Sequence, residues 1–349
     1  MNRELSTSMR AVFQYGIRDV RLGEMDPPIP APGEALIRVR SVTICGSDLH
    51  AYAEGSISGV SWAEPFVPGH EVAGEVVDSN GTGLAVGSHV VLDPAASCFH
   101  CYYCDSGLYH LCRNQRFLDM PPVHGAMREL LAWPANRMFV VPPSIDIVLA
   151  PLLEPLAVGV HAVELARRVE GATLLVVGCG GIGLCILQVA RARGARRIIA
   201  ADLVPERLAV AKELGADVTI DAGRSSAAAE ALEASGGHGA DLAFEAAGPQ
   251  AALDLCLAAT RSASEVIVAG IPAEDEYRFS SADLRRREMR LQFVRRQNEN
   301  FPEAIRLVEA GLVKLEPMLT HRFALDQAKQ AFEVAEQKRD DAIRVAVLP

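Results

Sequence analysis

The sequence predicts an α/β protein of two domains, a β-rich, barrel-like domain and a doubly wound parallel sheet of six strands. The chain has 349 residues, 50% of them hydrophobic, and at roughly 150 residues per domain this length predicts about two domains, each with its own core. Residues 1–150 contain short apolar runs between turn residues, whereas from about Pro155 apolar strands alternate with Ala-rich helical segments. The second pattern is typical of βαβ units and a parallel sheet.

The first part of the chain contains short strand candidates, such as residues 35–40 and 88–92. Both are bounded by turn residues, which favours a β-rich domain. In the second part, six strands are predicted at residues 174–177, 198–201, 218–220, 242–244, 266–269 and 291–294. Six strands are what two mononucleotide-binding halves need.

Helical segments fill the intervals between these strands. The segments at 182–193 and 205–214 are followed by Gly194 and Gly215, and the second opens with Pro205, as is typical of helix ends. A third segment covers residues 250–260, and helices at 302–309 and 325–338 precede a final strand at 342–348.

The charge balance excludes several partners. The chain has 34 Lys and Arg against 44 Asp and Glu, a net charge of −10, and its basic runs are short and dispersed. Nucleic acids and acidic membrane surfaces need a clustered positive field, so we expect neither as a partner. The most apolar stretch, 173–190, is interrupted by four glycines and predicts a buried strand and helix, not a membrane span. Residues 1–10 lack the apolar run of an export signal, which favours the cytoplasm.

A glycine-rich turn follows the first strand of the second part. Gly178, Gly180 and Gly183 form a G-x-G-x-x-G motif, and Gly181 and Ile182 open the next helix. This arrangement predicts a dinucleotide site with the pyrophosphate at the helix N-terminus. The alternative is a glycine-rich turn with only a structural role.

An acidic residue ends the second strand at the spacing that dinucleotide sites use. Asp202 follows Gly183 by nineteen residues, where a carboxylate accepts hydrogen bonds from the adenosine ribose. Because it repels a 2′-phosphate, NAD is favoured over NADP. Arg207 is placed to flank the adenine, or is a solvated helix residue.

Four of the eight cysteines form a cluster with the spacing of a metal site. They are Cys98, Cys101, Cys104 and Cys112, and four thiolates in one loop predict a closed, structural zinc site. One alternative is an iron–sulfur cluster, whose fourth cysteine is usually followed by Pro, whereas Arg113 follows here. The other is a pair of disulfides.

A second set of metal-ligand types is dispersed along the chain. Cys45, His70, Glu71 and Glu154 offer a thiolate, an imidazole and carboxylates. Three such ligands and water make an open, catalytic zinc site. Taken singly, Cys45 would be a small buried hydrophobe, His70 a core histidine and Glu71 a surface charge.

With these motifs in this order, the sequence resembles the zinc-dependent medium-chain alcohol dehydrogenases, and among them the sorbitol, xylitol and L-idonate (polyol) branch. The resemblance covers nearly the whole chain. It rests on residues 45–50, 69–71 with Gly74, the four cysteines, 154–158, the glycine motif and 295–298.

The resemblance implies a GroES-like catalytic domain, residues 1–155 completed by 295–349, and a Rossmann NAD-binding domain, residues 156–294. It implies two zinc ions per chain, with the catalytic ion held by Cys45, His70 and Glu71. Glu154 would be an exchangeable ligand or would hold the zinc-bound water. Whether Glu71 or Glu154 is the resting ligand stays open.

The implied reaction oxidises a secondary alcohol to a ketone with NAD as hydride acceptor. Ser47 and His50 would relay the released proton through a cofactor ribose hydroxyl, and Arg296, beside Arg295, would contact substrate hydroxyls. Ala51 and residues 123–127 depart from the pattern of sorbitol dehydrogenases, so the polyol itself is left open.

Three groups of alternatives are compatible with the sequence. Within the family they are an L-idonate-like sugar-acid 5-dehydrogenase and a threonine or butanediol dehydrogenase. The others are an NADP-dependent reductase and a catalytically idle dinucleotide-binding protein, which would be expected to have lost the ligands that this chain retains. Family members are commonly homodimers or homotetramers, and by analogy residues 266–271 are expected to form an edge strand.

Overall fold

The computed structural model describes residues 8–57, 60–61, 65–274 and 276–349. Their contacts divide the chain into two compact units. The first unit comprises Met1–Glu154 and Leu319–Pro349, and the second comprises Pro155–Met318. Residues 1–7, most of the segment from which the absence of an export signal was predicted, lie outside the described residues.

The strands, in chain order, fall into both units. They are β1 (Met9–Gly16), β2 (Asp19–Met25), β3 (Glu34–Thr43), β4 (Ser56–Ile57), β5 (Val60–Ser61), β6 (Glu71–Asp78), β7 (His89–Leu92), β8 (Ala95–Ala96), β9 (Arg116–Phe117), β10 (Leu130–Pro134), β11 (Met138–Val140), β12 (Thr173–Val177), β13 (Arg197–Asp202), β14 (Val218–Asp221), β15 (Leu242–Glu245), β16 (Glu265–Val268), β17 (Arg290–Phe293), β18 (Leu319–Ala324) and β19 (Arg344–Leu348).

The α-helices of the described residues follow the same order. They are α1 (Gly46–Glu54), α2 (Tyr102–Asp105), α3 (Leu153–Leu165), α4 (Gly181–Ala192), α5 (Pro205–Glu213), α6 (Ala227–Ala234), α7 (Gln250–Ala259), α8 (Ser281–Arg287), α9 (Phe301–Glu309) and α10 (Ala328–Gln337). The predicted helix at 325–338 begins instead with a 3₁₀ turn, Leu325–Gln327, before α10. Among the described residues, no helix is both long enough and apolar enough to span a membrane.

A seven-stranded sheet organises the first unit, as its β-rich sequence predicts. Its order is β11-β7-β6-β3-β19-β18, with β10 pairing with β3 as well. β-branched residues of the central strands, including Ile37, Val42, Val72 and Val76, are fully buried in one hydrophobic core. Such residues pack well on a pleated surface.

The second unit contains a parallel sheet with the order β14-β13-β12-β15-β16-β17. This is the doubly wound 3-2-1-4-5-6 order of Rossmann folds, and it places a ligand crevice at the carboxyl ends of β12 and β15. The six predicted strands are confirmed, and each predicted end lies within one residue of the observed end. Every residue of β12 is buried, as expected for a central parallel strand.

The predicted edge strand is wrong. β16 pairs with β15 on one side and β17 on the other, so β17 is the edge. The four residues of β16 are all buried, because an apolar run of this kind belongs in the middle of a sheet.

The chain returns to the first unit at Leu319 and not at residue 295. Residues after β17 pack within the second unit through polar contacts, of which two tie α9 and the following turns to other helices. Asn300 Nδ2 donates to Glu164 Oε2 at 2.7 Å, and the Lys314 N–H donates to Gln188 Oε1 at 2.8 Å. These hydrogen bonds tie α9 and its following turns to α3 and α4.

Candidate active site

Three ligand-type side chains meet at one end of the first unit's sheet. Thr43, at the end of β3, pairs with Glu71, at the start of the antiparallel strand β6. Cys45 and His70, which lie just outside these strands, are therefore brought to the same end. One ligand atom from each of Cys45, His70 and Glu71 lies within 4.8 Å of the others, and His70 and Glu71 are buried.

The His70 ring is held by buried carboxylates on its Nδ1 side. Nδ1 lies 3.2 Å from Asp119 Oδ2 and 3.5 Å from Asp48 Oδ1. Burial disfavours the charged imidazole, but these two carboxylates outweigh it and raise the pKa of His70 well above its usual range. Because Nδ1 is engaged, Nε2 is the nitrogen left for a metal.

Glu71 is a buried carboxylate with a cation and a hydroxyl on its oxygens. Arg344 Nη1 lies 2.9 Å from Oε1 and 3.3 Å from Oε2, and the Thr43 hydroxyl donates to Oε2. Arg344 Nη1 also donates to the Ile44 carbonyl at 3.1 Å. Both members of the ion pair are buried, so their charges are nearly unscreened by water.

Glu154, the second residue of α3, is also buried. Burial, reinforced by the negative charge of Glu71, raises the pKa of Glu154 to about 7. Glu154 is not one of the three residues whose ligand atoms cluster within 4.8 Å. The donor set of this cluster, one thiolate, one imidazole and one carboxylate, fits a zinc ion with an open fourth position.

Ser47 and His50 lie on the first two turns of α1, three residues apart and hence on the same face. Both side chains are partly exposed. His50 Nδ1 lies 3.1 Å from Glu54 Oε1, one turn further along the helix.

The four sulfur atoms of the cysteine cluster have the geometry of a closed metal site. Sγ–Sγ distances are 3.6 Å for Cys101–Cys104, 3.8 Å for Cys101–Cys112 and 3.5 Å for Cys98–Cys112. A tetrahedron with Zn–S bonds of about 2.3 Å has edges of about 3.8 Å. All eight cysteines are free thiols, so the disulfide alternative is wrong.

Two glycines of the turn after β12 are required by packing. Gly178 has φ +96°, and a Cβ there would lie 2.8 Å from the Ala246 carbonyl carbon. At Gly183, a Cβ would lie 1.7 Å from the Gly178 carbonyl oxygen. No side chain fits at Gly183 unless α4 moves away from the turn.

Gly180 is different, because a Cβ there would meet only the end of the Arg207 side chain, at 3.7 Å. Gly180, Gly181 and Ile182 are partly exposed, and the first N–H groups of the twelve-residue helix α4 have no partner carbonyl within the helix. The turn is therefore a cradle that a Cβ would fill and a pyrophosphate fits.

Asp202 closes this turn as well as ending β13. Its Oδ2 accepts from the Cys179 N–H at 2.6 Å, and its Oδ1 accepts from the Val204 N–H at 2.9 Å. A carboxylate has about four acceptor positions, so two remain for ribose hydroxyls. The sequence indicated only the contact with the ribose, and not the hydrogen bonds to the turn.

Arg296 lies in the second unit after β17, with φ +54° and a partly exposed side chain, and its neighbour Arg295 is exposed. Its predicted contact with substrate stays a prediction. No role was predicted from the sequence for four buried residues around the cluster, which are Thr43, Asp48, Asp119 and Arg344. Arg344 alone carried a signal, as a cation at the start of an otherwise apolar strand.

Two family models match the chain. The alcohol dehydrogenase GroES-like domain matches residues 31–143, and the zinc-binding dehydrogenase model matches residues 181–310. Sorbitol dehydrogenase of Bacillus subtilis is 32% identical over 351 residues, covering 100% of this chain and 99% of the relative. Erythritol/L-threitol dehydrogenase of Mycolicibacterium smegmatis is also 32% identical, covering 100% of both chains. Among solved structures, L-idonate 5-dehydrogenase of Escherichia coli K-12 superposes with a TM-score of 0.91 at 27% identity, covering 98% of each chain.

Proposed function

Because this chain belongs to the zinc-dependent alcohol dehydrogenase family, and to its polyol branch, we propose that it oxidises a secondary hydroxyl of a polyol to a ketone with NAD. The observation that carries this proposal is the Cys45, His70 and Glu71 cluster, which lies in the same chain as a pyrophosphate cradle. An open three-ligand site activates a hydroxyl group, and a dinucleotide cradle supplies a hydride acceptor.

Cys45, His70 and Glu71 would hold the catalytic zinc. When bound, zinc supplies a Lewis acid that lowers the pKa of the substrate hydroxyl. Arg344 balances the charge of Glu71. The buried Glu154 presents a carboxylate near Glu71, where it can orient the hydroxyl group or act as an exchangeable ligand.

The proton lost from the substrate needs a route to solvent. Ser47 Oγ can accept and pass on a proton, and His50 can release it, because the His50 side chain is partly exposed and its Nδ1 is fixed by Glu54.

In the second unit, Gly180, Gly181 and Ile182 would bind the pyrophosphate through backbone N–H groups. Asp202 would bind the adenosine ribose, with Arg207 beside it, which favours NAD over NADP.

The four-cysteine cluster would hold the second, structural zinc. Its closed sulfur tetrahedron leaves no position for substrate. Two zinc ions per chain are therefore expected.

The experiment that tests this function is a substrate panel with NAD, followed by the absorbance of NADH. The panel comprises sorbitol, xylitol, erythritol, 2,3-butanediol, L-threonine, L-idonate and ethanol. We expect turnover of at least one polyol and less with NADP. Activity on ethanol and on none of the others would contradict the polyol assignment.

An isosteric variant tests the contribution of the buried Glu154 carboxylate to turnover. Glu154→Gln keeps the shape of the side chain and removes its charge, so kcat should fall by about 10²- to 10⁴-fold. Binding of NADH should be unchanged, since no part of the cradle is altered. Equal kcat in the variant and the parent would remove Glu154 from the mechanism.

A sugar acid is the second candidate substrate. It is favoured by the likeness to L-idonate 5-dehydrogenase over 98% of each chain. A kcat/KM for L-idonate above that for every polyol would select it.

We also propose a cytoplasmic homodimer or homotetramer. β17 is an edge strand, so its outer edge can pair with the same strand of a second chain, and its Phe293 side chain is 55% exposed. Metal-binding thiolates are best kept reduced in the cytoplasm. Light scattering on the eluting protein would measure the number of chains, and a monomer would contradict the assembly.

A further inference from the structure

Asp119 is a buried carboxylate that reaches the zinc-ligand candidate His70 from a distant part of the chain. It follows β9, its side chain is 6% exposed, and its Oδ2 lies 3.2 Å from His70 Nδ1. A carboxylate buried this completely is held by its partners, because burial of an unpaired one is costly.

A ring nitrogen can donate only one hydrogen, yet two carboxylates lie beside His70 Nδ1. Asp48 Oδ2 is already the acceptor of the Cys45 N–H at 2.7 Å, and Asp48 Oδ1 lies 3.5 Å from Nδ1. Asp119 is nearer, at 3.2 Å. The shorter contact assigns the Nδ1 hydrogen to Asp119 and leaves Asp48 to fix the backbone of Cys45.

The backbone around Asp119 is fixed on both sides. The preceding residue, Leu118, is fully buried and donates its N–H to the Pro94 carbonyl at 2.9 Å. Asp119 itself has φ +68°, a left-handed conformation that Asp and Asn adopt more readily than most residues. The ring of Phe117 lies 5.4 Å from the His70 ring and limits its rotation.

We propose that Asp119 is a positioning residue, which accepts the Nδ1 hydrogen of His70 and so presents Nε2 to the catalytic zinc. The inference rests on the proposed function, because it assumes a zinc ion at Cys45, His70 and Glu71. Partners of this kind orient metal-ligating histidines, and their loss typically weakens metal binding by about 10- to 100-fold.

The test compares two variants of the full-length protein. Asp119→Gly removes the carboxylate at a φ that glycine adopts freely. Asp119→Asn keeps the shape, the conformation and an acceptor oxygen for Nδ1, and adds an N–H that can donate to Asp48. The measurement is the zinc content per chain after equilibration with a graded concentration of a chelator.

Each molecule contains its own control, because the four-cysteine site does not involve Asp119. We expect Asp119→Gly to release one of its two zinc ions at an about 10- to 100-fold lower chelator concentration than the parent. The second zinc should be released as in the parent. Asp119→Asn should stay within about threefold of the parent, a rescue that a purely structural loss would not predict.

Equal zinc retention in Asp119→Gly and the parent would overturn the proposal. Equal loss in the Asn and Gly variants would overturn it too, since the Asn acceptor would then fail to replace the carboxylate. If Asp119→Gly does not fold, Asp119→Ser replaces it, because a serine hydroxyl is too short to reach Nδ1. A parent that binds a single zinc would instead refute the proposed function.

Discussion

Replacing Gly180 or Gly183, both in the turn after β12, by alanine adds one methyl group in each case, but the two substitutions are expected to have different effects. At Gly183 the new Cβ would lie 1.7 Å from the Gly178 carbonyl oxygen, which is backbone and cannot rotate away. At Gly180 it would meet only Arg207 Nη1, at 3.7 Å. Gly183→Ala should therefore damage the fold, and Gly180→Ala should damage cofactor binding alone.

The magnitudes follow from these two distances. Overpacking costs about 1–3 kcal/mol and more against backbone. For Gly183→Ala we expect about 3 kcal/mol, a fall in Tm of about 6–12 °C for a unit of this size. For Gly180→Ala the unfolding free energy should change by less than about 0.5 kcal/mol. Instead, the new methyl group would crowd the bound pyrophosphate and weaken the free energy of NADH binding by about the same 1–3 kcal/mol. The Kd for NADH should therefore rise about 5- to 140-fold.

The assay pairs thermal unfolding without cofactor with a fluorescence titration by NADH. Gly180→Ala should unfold like the parent, and its Tm should rise less at a fixed NADH concentration, since ligand stabilisation depends on Kd. A Gly180→Ala variant that binds NADH as tightly as the parent would refute the cradle. An unchanged Tm in Gly183→Ala would refute the packing argument.

Three further predictions concern other parts of the molecule. Arg344→Met leaves Glu71 buried without its cation and should cost the first unit about 3–5 kcal/mol; Arg344→Lys should cost less. Urea unfolding followed by tryptophan fluorescence measures this, because Trp133 is buried in the core of the first unit, and equal stability of the two variants would contradict it. Cys104→Ser should remove one zinc per chain while the other stays, as metal analysis would show, and retention of both would contradict the four-thiolate site. Burial alone would raise the pKa of Asp217, but the hydrogen bond from the Ile198 N–H holds that pKa below its usual value. The ionised Asp217 therefore stabilises the fold above about pH 4, and this stabilisation is lost as the pH falls through the lowered pKa. Asp217→Asn should flatten that acid loss of Tm, and parallel pH profiles would contradict it.

The second unit could be predicted from sequence because its signals are local. A buried strand, a glycine turn and a helix follow one another directly along the chain, and the Asp202 position is set by one βαβ step. Strand order across the sheet is not local, which is why the edge was placed at β16 and not at β17.

The first unit's site could be predicted only in part. Residue type alone indicated Cys45, His70 and Glu71 as candidate ligands, but only the resemblance grouped them around one zinc, since nothing in their spacing shows that they meet. Arg344 contacts Glu71 across 273 residues, and Asp119 contacts His70 across 49. The Arg344 contact depends on the register of β3, β6 and β19, and the Asp119 contact depends on where the chain runs after β9. Periodicity within one segment contains no information about either.

The position of Arg344 on β19 also bears on the order in which the protein can fold as it is synthesised. A nascent chain reaches Met318 with every residue of the second unit present, whereas the first unit still lacks β18, α10 and β19. Domains tend to fold as units during synthesis, so the NAD-binding half can form on the ribosome before β19, which supplies Arg344 to Glu71, has been synthesised. An early stop that removes β19 would then leave Glu71 without its cation and β3 with only β6 and β10 as partners, in a chain whose other half is complete.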